Sequence, residues 1–278
     1  MIYLSAIFFI TVGACMNYTD YFARNTTFLM NAVVYSPAPL NCTRKRLDSS
    51  AKLYRYKAEL GAGTSIGFIF VLPNQNVTAL TFRSTLNGEL EDAWERYVIN
   101  MTEWRNNSGR VSGYFNDSFT TLWEQEGMKE KLRNITKRYK NLKVWINGHS
   151  LGGALASLAA FSVIADNITA SDKVTLLTLR QPRVGDKAFV KAYNEQVTNS
   201  FRVVRAGDSM PYLPKEEVYT YHGVEVFYNT TFMAPYKYKV CPNITAEGCS
   251  GQQTTPIRLE GNEVYFNRNV KNYGKKCK

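Results

Sequence analysis

Apolar and polar residues follow each other along the chain in blocks that have the lengths of strands and helices. Two short runs rich in β-branched and aromatic residues, at 66–72 and 77–82, enclose a polar turn and predict a β-hairpin. Apolar residues recur at every fourth position over 86–100, with charged residues between them, and predict a short amphipathic helix. A longer helix is predicted over 117–139.

The second half of the chain alternates strands with helices. The predicted strands lie at 142–147, 174–179 and 201–204, and the predicted helices lie at 154–165 and from the capping residue Asp186 to about 197. This alternation favours a mostly parallel sheet covered by helices on both faces, which is an α/β architecture. No repeat, low-complexity segment or Pro/Gly-rich linker divides the chain, so a single domain is expected.

The first 15 residues differ from the rest of the 278-residue chain. They carry no charge and contain an apolar stretch followed by small residues, which is typical of a secretory signal peptide, although its basic start is missing. An N-terminal strand or a short anchor is the alternative. We expect residues 1–15 to be a signal peptide and residues 16–278 to be the exported domain.

Sequons and cysteines support export, and the expected location is extracellular. N-glycosylation requires exposure in the secretory pathway. Eleven N-x-S/T sequons occur, at Asn17, Asn25, Asn41, Asn76, Asn100, Asn106, Asn116, Asn134, Asn167, Asn229 and Asn243. Once Cys15 leaves with the signal peptide, four cysteines remain and indicate two disulfides, whose pairing the pattern alone leaves open.

The net charge of +11 fits a nucleic-acid partner, an anionic lipid surface or simple solubility. No nucleic-acid-binding motif is present and export argues against such a partner, so no nucleic acid is expected. No C-x-x-C pair or His/Cys cluster indicates a metal site, and neither a metal nor another cofactor is expected. The oligomeric state stays open.

Residues 148–152 have the sequence G-H-S-L-G, which is the G-x-S-x-G pattern of a serine on a sharp turn between a strand and a helix. An apolar strand precedes the pattern and an apolar helix follows it, as this turn requires. The helix behind the serine supplies a free N–H and a favourable dipole for an oxyanion. A glycine-rich structural turn is the alternative. The pattern predicts Ser150 as a nucleophile.

Five segments together resemble the class 3 (fungal-type) lipases of the α/β-hydrolase superfamily. They are residues 81–85 (TFRST), 148–156 (GHSLGGALA), 181–185 (QPRVG), 207–214 (GDSMPYLP) and 222–228 (HGVEVFY). The resemblance runs from about 35 to 266. It implies a single-domain α/β-hydrolase fold with a mostly parallel central sheet. It also implies a triacylglycerol or other carboxylic ester as substrate at a lipid–water interface, with peripheral membrane contact.

The resemblance also implies the site residues. Ser150 would be the nucleophile and Asp208 the carboxylate that orients the base. Thr85 and Leu151 would be the oxyanion donors, with Ser84 where the family has glycine.

Three structural features follow from the same resemblance. The helix over 86–100 falls where these lipases carry a lid, with an ordinary surface helix as the alternative. Cys241–Cys249 would close a short local loop, and Cys42–Cys277 would join the two ends of the chain.

The chain departs from the family at the catalytic base. The family's histidine lies three residues before a Tyr-Phe pair near the C-terminus, and here that pair is Tyr265-Phe266 and the position holds Asn262. The amide of Asn262 cannot take up a proton near neutral pH. The chain has two histidines, His149 and His222. The resemblance marks His222 as structural, with a role as substitute base as the alternative.

Two functional hypotheses follow. In the first, the chain is a secreted lipase-family serine hydrolase that acts through Ser150, with impaired turnover because a serine hydroxyl without a base is a poor nucleophile. In the second, it is a non-catalytic pseudolipase that binds lipid or a partner. Ester hydrolysis by the natural chain, compared with Ser150→Ala, distinguishes them.

Overall fold

The computed structural model describes residues 18–86, 94, 98–139, 141–215, 217–252 and 263–277. The strands of this part of the chain are β1 (Lys52–Leu60), β2 (Gly63–Leu72), β3 (Val77–Leu86), β4 (Met101–Glu103), β5 (Arg110–Ser112), β6 (Lys143–His149), β7 (Val174–Leu179), β8 (Ser200–Arg205), β9 (Val224–Tyr228), β10 (Lys239–Cys241), β11 (Val264–Tyr265) and β12 (Arg268–Asn269). One eight-stranded sheet has the order β1-β2-β3-β6-β7-β8-β9-β10, and β4–β5 and β11–β12 form two small pairs.

The centre of the large sheet is parallel. Strands β3, β6, β7, β8 and β9 pair in parallel, while β1–β2 at one edge and β10 at the other join by antiparallel pairing. The predicted hairpin is confirmed as β2 and β3, which enclose a turn at Pro73–Gln75. Parallel neighbours need crossover connections, which place helices on the faces of the sheet. The predicted α/β architecture is therefore confirmed.

The α-helices of the described residues are α1 (Asp20–Phe22), α2 (Phe28–Val33), α3 (Pro39–Arg46), α4 (Gly113–Thr120), α5 (Met128–Arg138), α6 (Leu151–Ala165), α7 (Lys187–Gln196) and α8 (Val270–Lys276). The prediction of one helix over 117–139 is wrong. The chain breaks at Gly127, whose φ of 78° is left-handed and cannot continue an α-helix. Helix α6 also begins earlier than predicted, directly after Ser150.

Side chains alternate between the two faces of the sheet and so build two cores. Along β7, Leu176 packs in the core beneath α4, α5 and α6. Its neighbours Leu177 and Leu179 pack in the opposite core with Phe28 of α2 and Val270 of α8. The N-terminal and C-terminal helices therefore cover the same face.

Both implied disulfides are confirmed. Cys42 and Cys277 have Cα atoms 5.5 Å apart, and those of Cys241 and Cys249 are 6.0 Å apart. The first bond joins α3 to the end of α8. Gly274 allows α8 to approach α2 closely, because a Cβ atom there would overlap the backbone of Ala32.

Three predictions fall outside the described residues: the signal peptide at 1–15, most of the lid helix at 86–100, and the base position at Asn262. At the end of the lid segment, the Tyr219 hydroxyl donates to the Val98 carbonyl at 2.9 Å. Among the described helices, none combines the length and the apolar character that a bilayer-spanning segment needs.

Candidate active site

Ser150 lies on the sharp turn between β6 and α6. Its backbone has φ 57° and ψ −130°, a conformation that residues other than glycine seldom adopt. The Ser150 N–H donates to the Leu179 carbonyl at 3.0 Å, which ties the turn to the end of β7. The serine is partly exposed at the carboxyl edge of the parallel strands. A strained turn that presents a serine at this edge is the geometry of a nucleophile elbow.

Close packing explains the glycines of the pattern. A Cβ atom on Gly148 would overlap the backbone of Gly152, and one on Gly152 would overlap the carbonyl of Phe82. Phe82 also pairs with Gly148 in the parallel register of β3 and β6. The first turn of α6 therefore lies against β3 at Phe82, three residues before Thr85 in the same strand.

Hydroxyl groups hold the segment that carries the predicted oxyanion donor. The Ser84 hydroxyl lies 2.8 Å from that of Ser65 and 2.6 Å from that of Tyr114, and the Tyr114 hydroxyl lies 2.9 Å from the Thr85 carbonyl. Ser84 is thus fixed in a chain of hydroxyls. Leu151 begins α6, so its N–H has no acceptor within the helix. The assignment of Thr85 and Leu151 as oxyanion donors stays a prediction.

Asp208 follows β8 and is only 1% exposed. Its Oδ1 accepts from the Met210 N–H and from Nε of Arg180, each at 3.1 Å, and its Oδ2 accepts from the Tyr265 hydroxyl at 2.8 Å. Burial and the charge of Asp208 raise the pKa of Tyr265 well above its usual range, so this hydroxyl stays a donor. Tyr265 belongs to β11, three residues after Asn262 in the chain.

Arg180 is the residue at this site that the sequence did not reveal. It follows the end of β7 with φ 60°, and its side chain is 5% exposed beside Asp208. A single arginine next to the 181–185 segment has no signal of its own. Its partner lies 28 residues away in the chain, so only the fold brings the two together.

His149 is packed beneath the elbow. Its ring lies edge-on to the rings of Tyr35 and Tyr265, at centroid distances of 6.4 and 6.3 Å. Among the described residues, neither ring nitrogen has a hydrogen-bond partner. Burial, followed by the positive charges of Arg180 and Lys271, lowers the pKa of His149 well below its usual range. It makes no hydrogen bond to the nucleophile, and its place is structural.

His222 is buried in a polar cluster under α6. Its Nε2 lies 2.9 Å from the Ser157 hydroxyl and 3.1 Å from the Gln181 amide nitrogen. Burial and then the charge of Arg202 lower the pKa of His222 well below its usual range. Ser157 is two helical turns from Ser150, or roughly 10 Å. This position speaks against His222 as a substitute base.

Two smaller predictions concern helix capping and metal binding. Asp186 caps α7 as predicted, because its side chain accepts from the Phe189 N–H at 2.8 Å. Within the described ranges, no group of three His, Cys, Asp or Glu side chains could hold a metal ion.

The elbow at the carboxyl edge of a parallel sheet, with a buried carboxylate after a later strand, defines a protein of the α/β-hydrolase class. The family described as Lipase (class 3) matches residues 79–218. The chain belongs to this class 3 lipase family, as the sequence resemblance implied.

Curated proteins and solved structures give the same family and fold. The chain is 30% identical to a Caenorhabditis elegans lipase over 187 residues, which are 58% of this chain and 52% of that protein. It is 35% identical to a triacylglycerol lipase of Nicotiana tabacum over 115 residues, which are 38% of this chain and 20% of the relative. It therefore spans about half or less of the length of these relatives.

Among solved structures, the lipase of Rhizopus microsporus var. chinensis has a TM-score of 0.76 at 22% identity, with 94% of this chain and 95% of that one covered. The Rhizomucor miehei triacylglyceride lipase has a TM-score of 0.76 at 21% identity, with 92% and 98% covered. These likenesses confirm the α/β-hydrolase fold.

Proposed function

We propose that the chain is a secreted serine hydrolase of the class 3 lipase family that acts on carboxylic esters through Ser150, with turnover impaired by the lack of a base at Asn262. One observation carries the proposal: the elbow of Ser150 and the buried carboxylate of Asp208 are present, but neither histidine of the chain hydrogen-bonds to them. His149 packs beneath the elbow without a hydrogen-bond partner among the described residues, and His222 bonds to Ser157.

The chemistry follows from these residues. The Ser150 hydroxyl attacks the ester carbonyl, and the N–H groups of Leu151 and Thr85 stabilise the oxyanion. A base between Ser150 and Asp208 would take the serine proton, and the carboxylate would stabilise the cation that forms. Without that base, turnover falls by up to about a million-fold, with some residual rate from the oxyanion hole.

Export is supported by the disulfides and by the sequons. Eight acceptor asparagines of the described residues are exposed, namely Asn25, Asn41, Asn76, Asn100, Asn134, Asn167, Asn229 and Asn243. Exposure is what oligosaccharide transfer requires. The mature domain at 16–278 and the location outside the cell belong to this proposal.

A non-catalytic lipid-binding pseudolipase is the second candidate. The ion pair between Arg180 and Asp208 favours it, because the carboxylate already has a cation as partner. Both candidates place a lipid or ester at the carboxyl edge of the sheet, and they differ in turnover alone.

The test measures hydrolysis of short and long acyl esters by the natural chain, by Ser150→Ala and by Asn262→His. We expect little hydrolysis by the natural chain and a gain with Asn262→His that Ser150→Ala abolishes. A serine-reactive phosphonate should label Ser150 in Asn262→His. Robust activity in the natural chain would contradict the impairment. Absence of both labelling and activity in Asn262→His would contradict the hydrolase assignment and leave the pseudolipase.

A further inference from the structure

The side chain of Arg180 is held by a buried ion pair. Its Nε lies 3.1 Å from Oδ1 of Asp208, and the two side chains are 5% and 0% exposed. A buried charge is tolerated when it is paired and hydrogen-bonded. Removing one partner of such a pair leaves an uncompensated charge, which strongly destabilises a fold. Asp208 and Arg180 are therefore ionic partners inside the fold.

The backbone at Arg180 is unfavourable for a side chain. Its φ of 60° is left-handed, which glycine adopts freely and other residues seldom do. A large side chain persists in this conformation because the surrounding contacts compensate for it. The Leu179 carbonyl just before Arg180 accepts the Ser150 N–H, so the arginine lies beside the elbow.

We propose that Arg180 is an internal counter-ion that partly neutralises Asp208, so that this carboxylate supports a general base at Ser150 only weakly. The inference rests on the proposed function and deepens it, because it names a second cause of impaired turnover. Arg180 is a positioning residue, since it acts through Asp208.

Electrostatics explains why a neutralised carboxylate is ineffective. In a working triad the carboxylate holds the imidazole in the correct tautomer and stabilises the imidazolium that forms. A guanidinium in contact with Asp208 opposes that field at short range. The same guanidinium repels a second cation beside Asp208, so it disfavours the imidazolium that a general base forms there.

Among the described residues, the groups that bond to the Asp208 carboxylate are the Arg180 guanidinium, the Met210 N–H and the Tyr265 hydroxyl, and none of these is a carboxylate. Arg180 and Arg205 act with Asp208 on the pKa of Tyr265, and two acids act on residues around the pair, Glu225 on Tyr212 and Glu263 on Tyr35. The positive charge of Arg180 already reaches an imidazole nearby, because after burial it is the next cause that lowers the pKa of His149. The same effect would act on an imidazole introduced between Ser150 and Asp208.

The experiment compares Asn262→His with Asn262→His/Arg180→Gly, by kcat/KM for a soluble ester against pH. Glycine suits the backbone at this position. We expect the double variant to have a kcat/KM at least about tenfold higher. We also expect the rising limb of kcat/KM against pH to shift to higher pH by about one unit in the double variant. A nearby cation lowers the pKa of an imidazole, and the double variant lacks that cation. Arg180→Lys in the same background keeps the charge and should keep the low rate.

Equal rates and equal pH limbs in the two variants would overturn the inference while leaving the proposed function intact. If Asn262→His and the double variant are both inactive and Ser150 is unlabelled, the proposed function fails and the inference falls with it.

A second experiment measures stability instead of activity. It compares the free energy of urea unfolding of the natural chain with those of Arg180→Gly, Asp208→Asn and the variant that carries both changes. If the two charges are paired, Arg180→Gly alone should lower the free energy of unfolding more than the double change does. Additive effects would overturn the inference without reference to activity.

Discussion

The two disulfides close loops of very different length, which allows a matched test of how they stabilise the fold. Cys42 and Cys277 are separated by 235 residues in the chain, and Cys241 and Cys249 by 8. In the chain-entropy model the stabilisation grows as 1.5RT times the logarithm of loop length, so the long loop should contribute about 3 kcal/mol more. All four cysteines are buried, so alanine leaves comparable cavities in both pairs.

The assay measures the free energy of urea unfolding of the natural chain and of two variants. No reductant is added, so that the remaining disulfides stay intact. Cys42→Ala/Cys277→Ala should lose about 3 kcal/mol more in the free energy of unfolding than Cys241→Ala/Cys249→Ala. The slope of unfolding against urea should be recorded as well, because a compact unfolded state would change it. Equal losses, or a larger loss from the short loop, would refute an entropic origin and indicate that local packing sets the contribution.

Three further outcomes are expected. Because the pKa values of His149 and His222 are lowered by folding, the unfolded chain binds more protons below about pH 6.5. As the pH falls below about 6.5, the free energy of unfolding should therefore decrease by up to about 2.7 kcal/mol per pH unit for two histidines, and His149→Gln should halve that slope. Gly152→Ala should cost about 1–3 kcal/mol by overlap with Phe82 and, in the Asn262→His background, abolish phosphonate labelling of Ser150. Asp186→Ala should lower the free energy of unfolding by about 1 kcal/mol through loss of the helix cap.

Local patterns were sufficient to predict the centre of the fold. The apolar run at 174–179 is the strand Val174–Leu179, and the hairpin at 66–82 falls within β2 and β3, because buried strands must be apolar along their length. The G-x-S-x-G pattern predicted the elbow because a side chain at either of its glycines would overlap neighbouring backbone in that turn. The disulfide pairing came from the family resemblance, since spacing alone could not choose a pairing.

Other features depended on geometry that the sequence does not display. An isolated glycine is tolerated within a helical segment, so Gly127 by itself did not reveal that it adopts φ 78° and ends the helix. Tyr265 and Asp208 are 57 residues apart and meet only in the fold. Arg180 looked like an ordinary basic residue, although it forms a buried ion pair with Asp208 and lowers the pKa of His149.

The left-handed backbone at Arg180 has a consequence for how this chain can change by mutation. Glycine adopts this left-handed backbone freely, so the replacement that removes the guanidinium also relieves the backbone strain. In the genetic code, every arginine codon becomes a glycine codon by a single-base change, and every asparagine codon becomes a histidine codon in the same way. A library of random point mutants selected for ester hydrolysis can therefore sample Arg180→Gly and Asn262→His without designed multi-base codon changes. Their joint appearance among the most active clones would support the proposal that these two residues limit ester hydrolysis by this chain.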